Sequence, residues 1–191
     1  MFLWNGSLNS SGIARRRTRD LGKDCALALE KSYALRLDTS RFHNWQSFLK
    51  DADAKGALKH PNSRLDRQDL LFVWAFSIVR RDNQRLCYKI GRYRDDRDGF
   101  TNRKSIGFAE LVGYDDASLF SEDMGVTECG LNAILTDLDL SKSAFRDQTE
   151  LTRPSISFAR LATDGMPKPV VLFIMEWQCP KWFEPTARRL R

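Results

Sequence analysis

The chain has 191 residues, of which 42% are hydrophobic and 29% charged, with a formal net charge of +6. That composition is too apolar and too aromatic for broad disorder, is long enough to enclose one core, and contains no apolar run of membrane-spanning length. The positive balance, with a pI near 9.3, favours anionic partners: nucleotides, nucleic acid or acidic protein surfaces.

The first 13 residues place apolar side chains together only at Phe2, Leu3 and Trp4 and then turn polar. They lack the apolar middle of a secretory leader, so cytoplasmic placement and no membrane partner are expected. Residues 1–20 read as a basic arm carrying Arg15, Arg16, Arg17 and Arg19, either solvated or touching nucleic acid or a partner protein. Over 21–35, Leu21, Cys25, Leu29 and Tyr33 recur every fourth position, which predicts a helix. A second helix is predicted over 41–54, with Ser40 as its cap and Phe42, Trp45, Phe48 and Leu49 on one face. Residues 56–67, with their His-Pro-Asn-Ser stretch, read as a loop. Residues 1–65 are therefore expected to form a basic arm and helical extension, and 66–191 the main domain.

From residue 70 the character changes. LLFVWAFSIVRR at 70–81, the polar step Asp82-Asn83-Gln84 and RLCYKIGRY at 85–93 predict a strand, a turn and a second strand. A charged loop follows at 94–103. KSIGFAELV at 104–112 predicts a third strand, in which an interior glycine, Gly107, signals a bulge or a close backbone approach. An acidic loop at 113–124 leads into a predicted helix over 125–139, where Leu131, Ile134, Leu135 and Leu138 form an apolar stripe. Residues 155–161 alternate in part. A Gly- and Pro-rich turn at 163–169 precedes VVLFIMEW at 170–177, which reads as a central strand buried on both faces. Strands, a helix across the middle and further strands make an α/β or α+β sandwich.

Several residues carry candidate chemistry. Arg80, Arg81, Arg85, Lys89, Arg92 and Arg94 lie on the first two sheet strands and the loop after them, interleaved with Tyr88 and Tyr93. Arg85 and Lys89 are four apart on a strand and so share a face. Such a groove would hold phosphates and stack a base, or it is one charged, wet face of the sheet. Trp74 and Trp177 sit in apolar strands and read as core, whereas Trp182, in a Pro-flanked loop, is the better stacking candidate. The four cysteines are scattered and the two histidines do not cluster with them, so the thiols read as reduced and no zinc site is expected.

The stretch from Tyr88 to Leu140 resembles Nudix domains in pattern. It has Tyr93-Arg94 and a charged loop, then Ser105-Ile106-Gly107-Phe108-Ala109-Glu110-Leu111-Val112. Asp115 and Leu119-Phe120 follow, then Gly130-Leu131-Asn132-Ala133-Ile134-Leu135-Thr136-Asp137-Leu138-Asp139-Leu140. The strand at 170–177 and Phe183-Glu184-Pro185-Thr186 are similar to the later part of that fold. The resemblance spans about the last two thirds of the chain; residues 1–65 have no counterpart. It implies a mixed sheet with a helix packed on it.

The departures bear on activity. In active Nudix enzymes the helix carries Arg-Glu-Leu-x-Glu-Glu, whose carboxylates hold Mg²⁺ against a diphosphate, because Mg²⁺ requires hard oxygen ligands. Here Asn132 stands at the arginine position, and Ala133, Thr136 and Asp137 stand at the three acidic positions. Ala109-Glu110 replaces the Gly-Gly of the preceding strand. The resemblance thus implies a degenerate, catalytically impaired module that binds a phosphorylated ligand such as a nucleotide, or a partner macromolecule. Arg85, Lys89, Arg92, Arg94, Asn132 and Trp182 are its candidate contacts. The alternatives are a Mg²⁺-dependent pyrophosphohydrolase with relocated acids, or a nucleic-acid-binding or assembly protein with a vestigial cleft. No cofactor is expected in the first reading. In the second, Asp137 and Glu110 are the candidate catalytic and metal residues, aided by Asp115, Glu122, Asp123, Glu128 or Asp139.

Overall fold

The computed structural model describes residues 3–4, 13–14, 25–35, 45–61, 68–90, 104–117, 123–138, 155–161 and 170–178. In chain order these form β1 (Leu3–Trp4), β2 (Ile13–Ala14), β3 (Ala28–Glu30), α1 (Lys31–Leu35), α2 (Trp45–Ala54), β4 (Leu58–Lys59), β5 (Leu70–Arg81) and β6 (Gln84–Ile90). β7 (Lys104–Ser105), β8 (Phe108–Leu111), a 3-10 turn at Tyr114–Asp116, α3 (Val126–Asp137), β9 (Ser155–Leu161) and β10 (Val170–Gln178) follow.

All ten strands join one mixed sheet organised by β5. This strand is rich in the β-branched and aromatic side chains that fit a pleated surface. On one side it pairs in parallel with β10, from Val171↔Val73 to Gln178↔Arg80, and β9 lies antiparallel outside β10. Its other side is shared in succession by β3 at Leu70–Phe72, β8 at Trp74–Ser77 and β6 at Arg80–Arg81. β6 in turn carries β1, β2 and β7. The β5–β6 reversal places Asp82 at φ 51°, the left-handed conformation that Asp tolerates in hairpin turns.

Alternation along β5 sorts its side chains. Val73, Ala75, Ser77 and Val79 are buried, with Val171, Phe173, Met175 and Trp177 of β10, in the core shared with α2 and α3. α2 reaches that core through Phe48, whose ring lies 6.2 Å from that of Phe173. On the opposite face Phe72, Trp74, Phe76 and Ile174 are half-buried.

The strand at 70–81 stands where the sequence predicts it, the partly alternating stretch at 155–161 is a strand, β10 extends one residue further than predicted, and α3 falls within the predicted 125–139. The predicted strand over 104–112 is broken at Ile106-Gly107. A Cβ on Gly107 would lie 2.5 Å from the Phe76 ring, so the bare backbone makes the close approach that the glycine signalled. Tyr88 and Ser105 each donate a hydroxyl to the Gly107 carbonyl at 2.8 Å and hold the kink.

Three expectations are corrected. Of the helix predicted over 21–35, the described residues keep only α1; residues 28–30 form a strand instead, and 21–24 lie outside the described residues. Ala26, Leu27, Ala28 and Leu29 are all 0% exposed, whereas a surface helix buries one stripe only. Leu27 N–H donates to Val112 O at 2.8 Å and Leu27 O accepts from Val73 N at 2.9 Å, so this segment fills the sheet between β5 and the end of β8. The predicted loop over 56–67 contains β4, which pairs with β3. Within the N-terminal arm, Leu3–Trp4 and Ile13–Ala14 add to β6, because an open strand edge offers backbone partners to apolar dipeptides. The second helix is described over Trp45–Ala54; residues 41–44 and the proposed cap, Ser40, lie outside the described residues. No described helix is long and apolar enough to cross a membrane.

Candidate functional site

α3 occupies the place where the sequence predicts the functional helix, and its start shows what the acidic loop does. Asp123 is 9% exposed. Its carboxylate accepts Gly125 N–H at 3.1 Å and Thr127 N–H at 3.0 Å, satisfying amide groups that a helix N-terminus leaves unpaired. Asp116, 7% exposed, accepts Gly113 N–H at 2.8 Å and closes the 3-10 turn. Gly125 has φ 80°, and a Cβ there would lie 2.4 Å from the Asp116 carbonyl carbon, so the loop folds tightly onto the helix start. Of the loop acids considered as substitute ligands, Asp123 is thus a backbone cap. Asp115 is exposed and Glu128 half-buried; Glu122 and Asp139 lie outside the described residues.

The stripe of α3 turned toward the sheet is Val126, Gly130, Ala133 and Asp137, by helical spacing. Gly130 brings the backbone onto the strands: a Cβ would lie 2.2 Å from Met175 Cε and 2.7 Å from Ser77 Oγ. Ser77, fully buried, donates its hydroxyl to the Gly130 carbonyl at 2.8 Å and accepts Trp177 Nε1–H at 3.0 Å. One hydroxyl therefore ties α3, β5 and β10 together. Cys129 adds an Sγ contact to Leu111 O at 3.4 Å. Ala133, at the first of the acidic positions, is 2% exposed and part of the core. A carboxylate there would be stripped of water.

Asp137 is half-buried at the C-terminal end of this stripe. Glu110, also half-buried, pairs with Ala75 across β8 and β5, which directs it to the sheet face that α3 covers. Both carboxylates thus belong to the side of the sheet that α3 covers. Among the described residues no three Asp, Glu, His or Cys side chains gather in a metal-binding group. Asn132 is half-buried and forms, with Glu128 and Thr136 at i±4, the stripe on the flank away from the core.

Of the basic set, Arg80, Arg81 and Arg85 have described side chains. Arg80 and Arg85 are directly opposed across β5 and β6, an arrangement of like charges that repels. Glu176 of β10 neutralises it, with Oε1 accepting Arg85 Nε at 3.1 Å and Nη2 at 2.9 Å, and Oε2 meeting Arg80 Nη1 at 3.5 Å. This cluster sits on the sheet face opposite α3. Tyr88 is buried and stacks on Phe108 at 4.9 Å, so it packs the core. Lys89 pairs through its backbone with Ile13 and Lys104. Arg92, Arg94, Trp182, Arg15, Arg16, Arg17 and Arg19 lie outside the described residues.

Sequence reading passed over Tyr114 and His60, whose rings meet edge to face at 5.5 Å. They are 54 positions apart, and no local spacing signals their meeting.

No protein-family model matches the chain, and no curated protein matches it significantly. Its fold is similar to the crystal structure of Tm1382, provisionally described as a Nudix hydrolase, with a TM-score of 0.53 at 13% identity over 80% of this chain and 75% of that one. At that identity the likeness is one of fold: a Nudix-like mixed sheet with helices packed on it.

Proposed function

We propose that this Nudix-like fold is a binding or regulatory module for a phosphorylated ligand, with a nucleotide as the first candidate, in which hydrolysis is impaired. The observation that carries the reading is the seam between α3 and the sheet. Gly130 and Ala133 are closed against Ser77, Met175 and the surrounding core, where the resemblance implies room for carboxylates and a metal. The donor set does not fit Mg²⁺: Asn132, Ala133 and Thr136 supply no carboxylate, and Asp137 alone keeps one. The net charge of +6 supports an anionic ligand.

Calorimetry with a panel of nucleoside di- and triphosphates, with and without Mg²⁺, tests this. Saturable binding without a Mg²⁺ requirement, and no release of phosphate or pyrophosphate, is the expected outcome. No binding to any member removes the ligand part of the proposal.

The presence of Glu110 on the α3 face favours a second reading, a pyrophosphohydrolase with relocated acids. It requires turnover of a nucleoside diphosphate derivative that Glu110→Ala or Asp137→Ala abolishes. The third reading, nucleic-acid binding around a vestigial cleft, requires affinity that falls steeply with salt as counterions are released.

A further inference from the structure

Tyr114 opens the 3-10 turn between β8 and α3 and is 64% exposed, an unusual setting for a large ring held on rigid backbone. Its amide donates to Cys25 O at 3.1 Å, and its carbonyl accepts Ala117 N–H at 3.1 Å. The residues around it are locked in turn. Gly113 bridges to Ala26 in the sheet, and its amide is held by the buried Asp116 carboxylate.

The same Cys25 carbonyl stands 3.4 Å from His60 Nδ1. Cys25 has φ 58°, a left-handed conformation that non-glycine residues adopt only under constraint. The result is one carbonyl aimed at both the Tyr114 amide and the His60 ring. The two rings are thereby set edge to face at 5.5 Å, a favourable aromatic geometry. Among the described residues His60 is the only ring beside Tyr114. An exposed aromatic pair on a fixed support binds a planar ligand with little loss of conformational freedom.

We infer that the Tyr114 ring, braced by His60 at right angles to it, is a stacking surface for a purine base, the base-recognition part of the nucleotide site. This rests on the nucleotide reading proposed above and assigns it a place. A purine fits better than a bare phosphate. The neighbouring Asp115 is exposed, and its carboxylate can accept the exocyclic amine of adenine, or N1–H and the exocyclic amine of guanine, while repelling a bare anion. Stacking on the π-face of Tyr114 supplies affinity for the base, and the larger purine ring overlaps more of it than a pyrimidine does.

The test titrates the full chain with AMP, GMP, UMP and inorganic pyrophosphate, following calorimetry and the carbon-bound ring protons of His60 by NMR. The chain has two histidines, so His43→Gln assigns the signals. The expected result is an upfield, saturable shift of the His60 resonances with AMP or GMP, weaker with UMP and none with pyrophosphate. Tyr114→Ala should weaken purine nucleotide binding about five- to hundredfold, and Tyr114→Phe should stay within about twofold of wild type. Because the ring is exposed and its anchors are backbone groups, both variants should keep the wild-type melting temperature. Equal affinity of wild type and Tyr114→Ala overturns the platform while leaving the nucleotide reading intact. Pyrophosphate binding as tight as GMP, or His60 signals unmoved by a purine nucleotide that binds, also overturns it. If no nucleotide binds the wild type, both proposals fall.

Discussion

The two faces of the central sheet divide its residues by chemistry. On the α3 side Val73, Ala75, Ser77 and Val79 meet a helix whose small residues let backbone approach strand, and the buried hydroxyl there is satisfied twice. On the other side Phe72, Trp74 and Phe76 stay half-buried, and the strand ends in an exposed ion cluster, Arg80–Glu176–Arg85. One strand supplies both faces through alternate residues. The difference shows that one face of the sheet is closed by close helix packing at Gly130, while paired charges have collected on the face opposite it.

The contrast is broken most severely by restoring an acid on the closed face. Ala133→Glu is expected to destabilise by roughly 3 kcal/mol or more near neutral pH, since a buried carboxyl without a partner is costly whether it ionises or stays neutral. Its folded pKa would be raised above the unfolded value, so the variant should lose stability as pH rises from 4 to 7. Thermal melts across that range check the sign. Stability equal to wild type, with Mg²⁺ raising the melting temperature, would show that the seam is an open metal cleft after all.

Gly130→Ala comes next. The added Cβ meets Met175 and Ser77 well inside contact distance, and overpacking of this kind costs about 1–3 kcal/mol. Met175 Cε is the end of a flexible side chain and can yield, which holds the effect within that range; urea denaturation measures it. Ser77→Ala removes the hydroxyl that joins three elements and leaves Trp177 Nε1–H without an acceptor. The expected loss is about 1–3 kcal/mol, and a change in tryptophan emission should accompany it.

On the opposite face Glu176→Gln leaves Arg80 and Arg85 opposed. Both arginine side chains are more than 40% exposed, so solvent screening keeps the loss under about 1 kcal/mol. The loss should shrink further in high salt, unlike those on the α3 side. A large, salt-insensitive loss would erase the distinction between the faces.

The smallest effect belongs to the link between α1 and α2. Asp51 accepts Lys55 Nζ and Tyr33 Oη, each at 2.7 Å. The Lys55 hydrogen bond first, and the Tyr33 hydrogen bond second, hold its carboxyl below the usual range. Because its folded pKa is depressed, its contribution is present above the unfolded value of about 3.9 and is lost as pH falls through the lower folded value. Asp51→Asn should therefore lower stability slightly at pH 7 and converge with wild type in acid, flattening the acid limb of the profile; melts across pH 2–7 measure it. Burial, then the Asp51 contact, pushes the Tyr33 hydroxyl well above its ordinary value. Its stabilisation accordingly holds below pH 10 and fades only at strongly alkaline pH.

Much of the frame was legible. β5 and β10 carry side-chain patterns that few other structures accommodate, β9 alternates only in part, and the Leu131, Ile134, Leu135 and Leu138 stripe marks α3. The period-four recurrence of Leu21, Cys25, Leu29 and Tyr33 misleads, because residues 26–29 are buried on all sides and a vacant strand edge competes for their backbone. At the site, the shortage of carboxylates on α3 was visible in the letters. The backbone role of Asp123 and the pairing of Arg85 with Glu176 were not, since each partner is defined by the fold.

By itself the sequence determined the long strands and the central helix, because these are properties of neighbouring residues read by a local period. Only the tertiary structure decided that Ser77 and Trp177, 100 positions apart, share one hydrogen bond beneath Gly130. It alone brought Tyr114 and His60 to the same carbonyl of Cys25. Such contacts arise where sheet register and helix packing bring distant segments together, and no spacing along the chain encodes them.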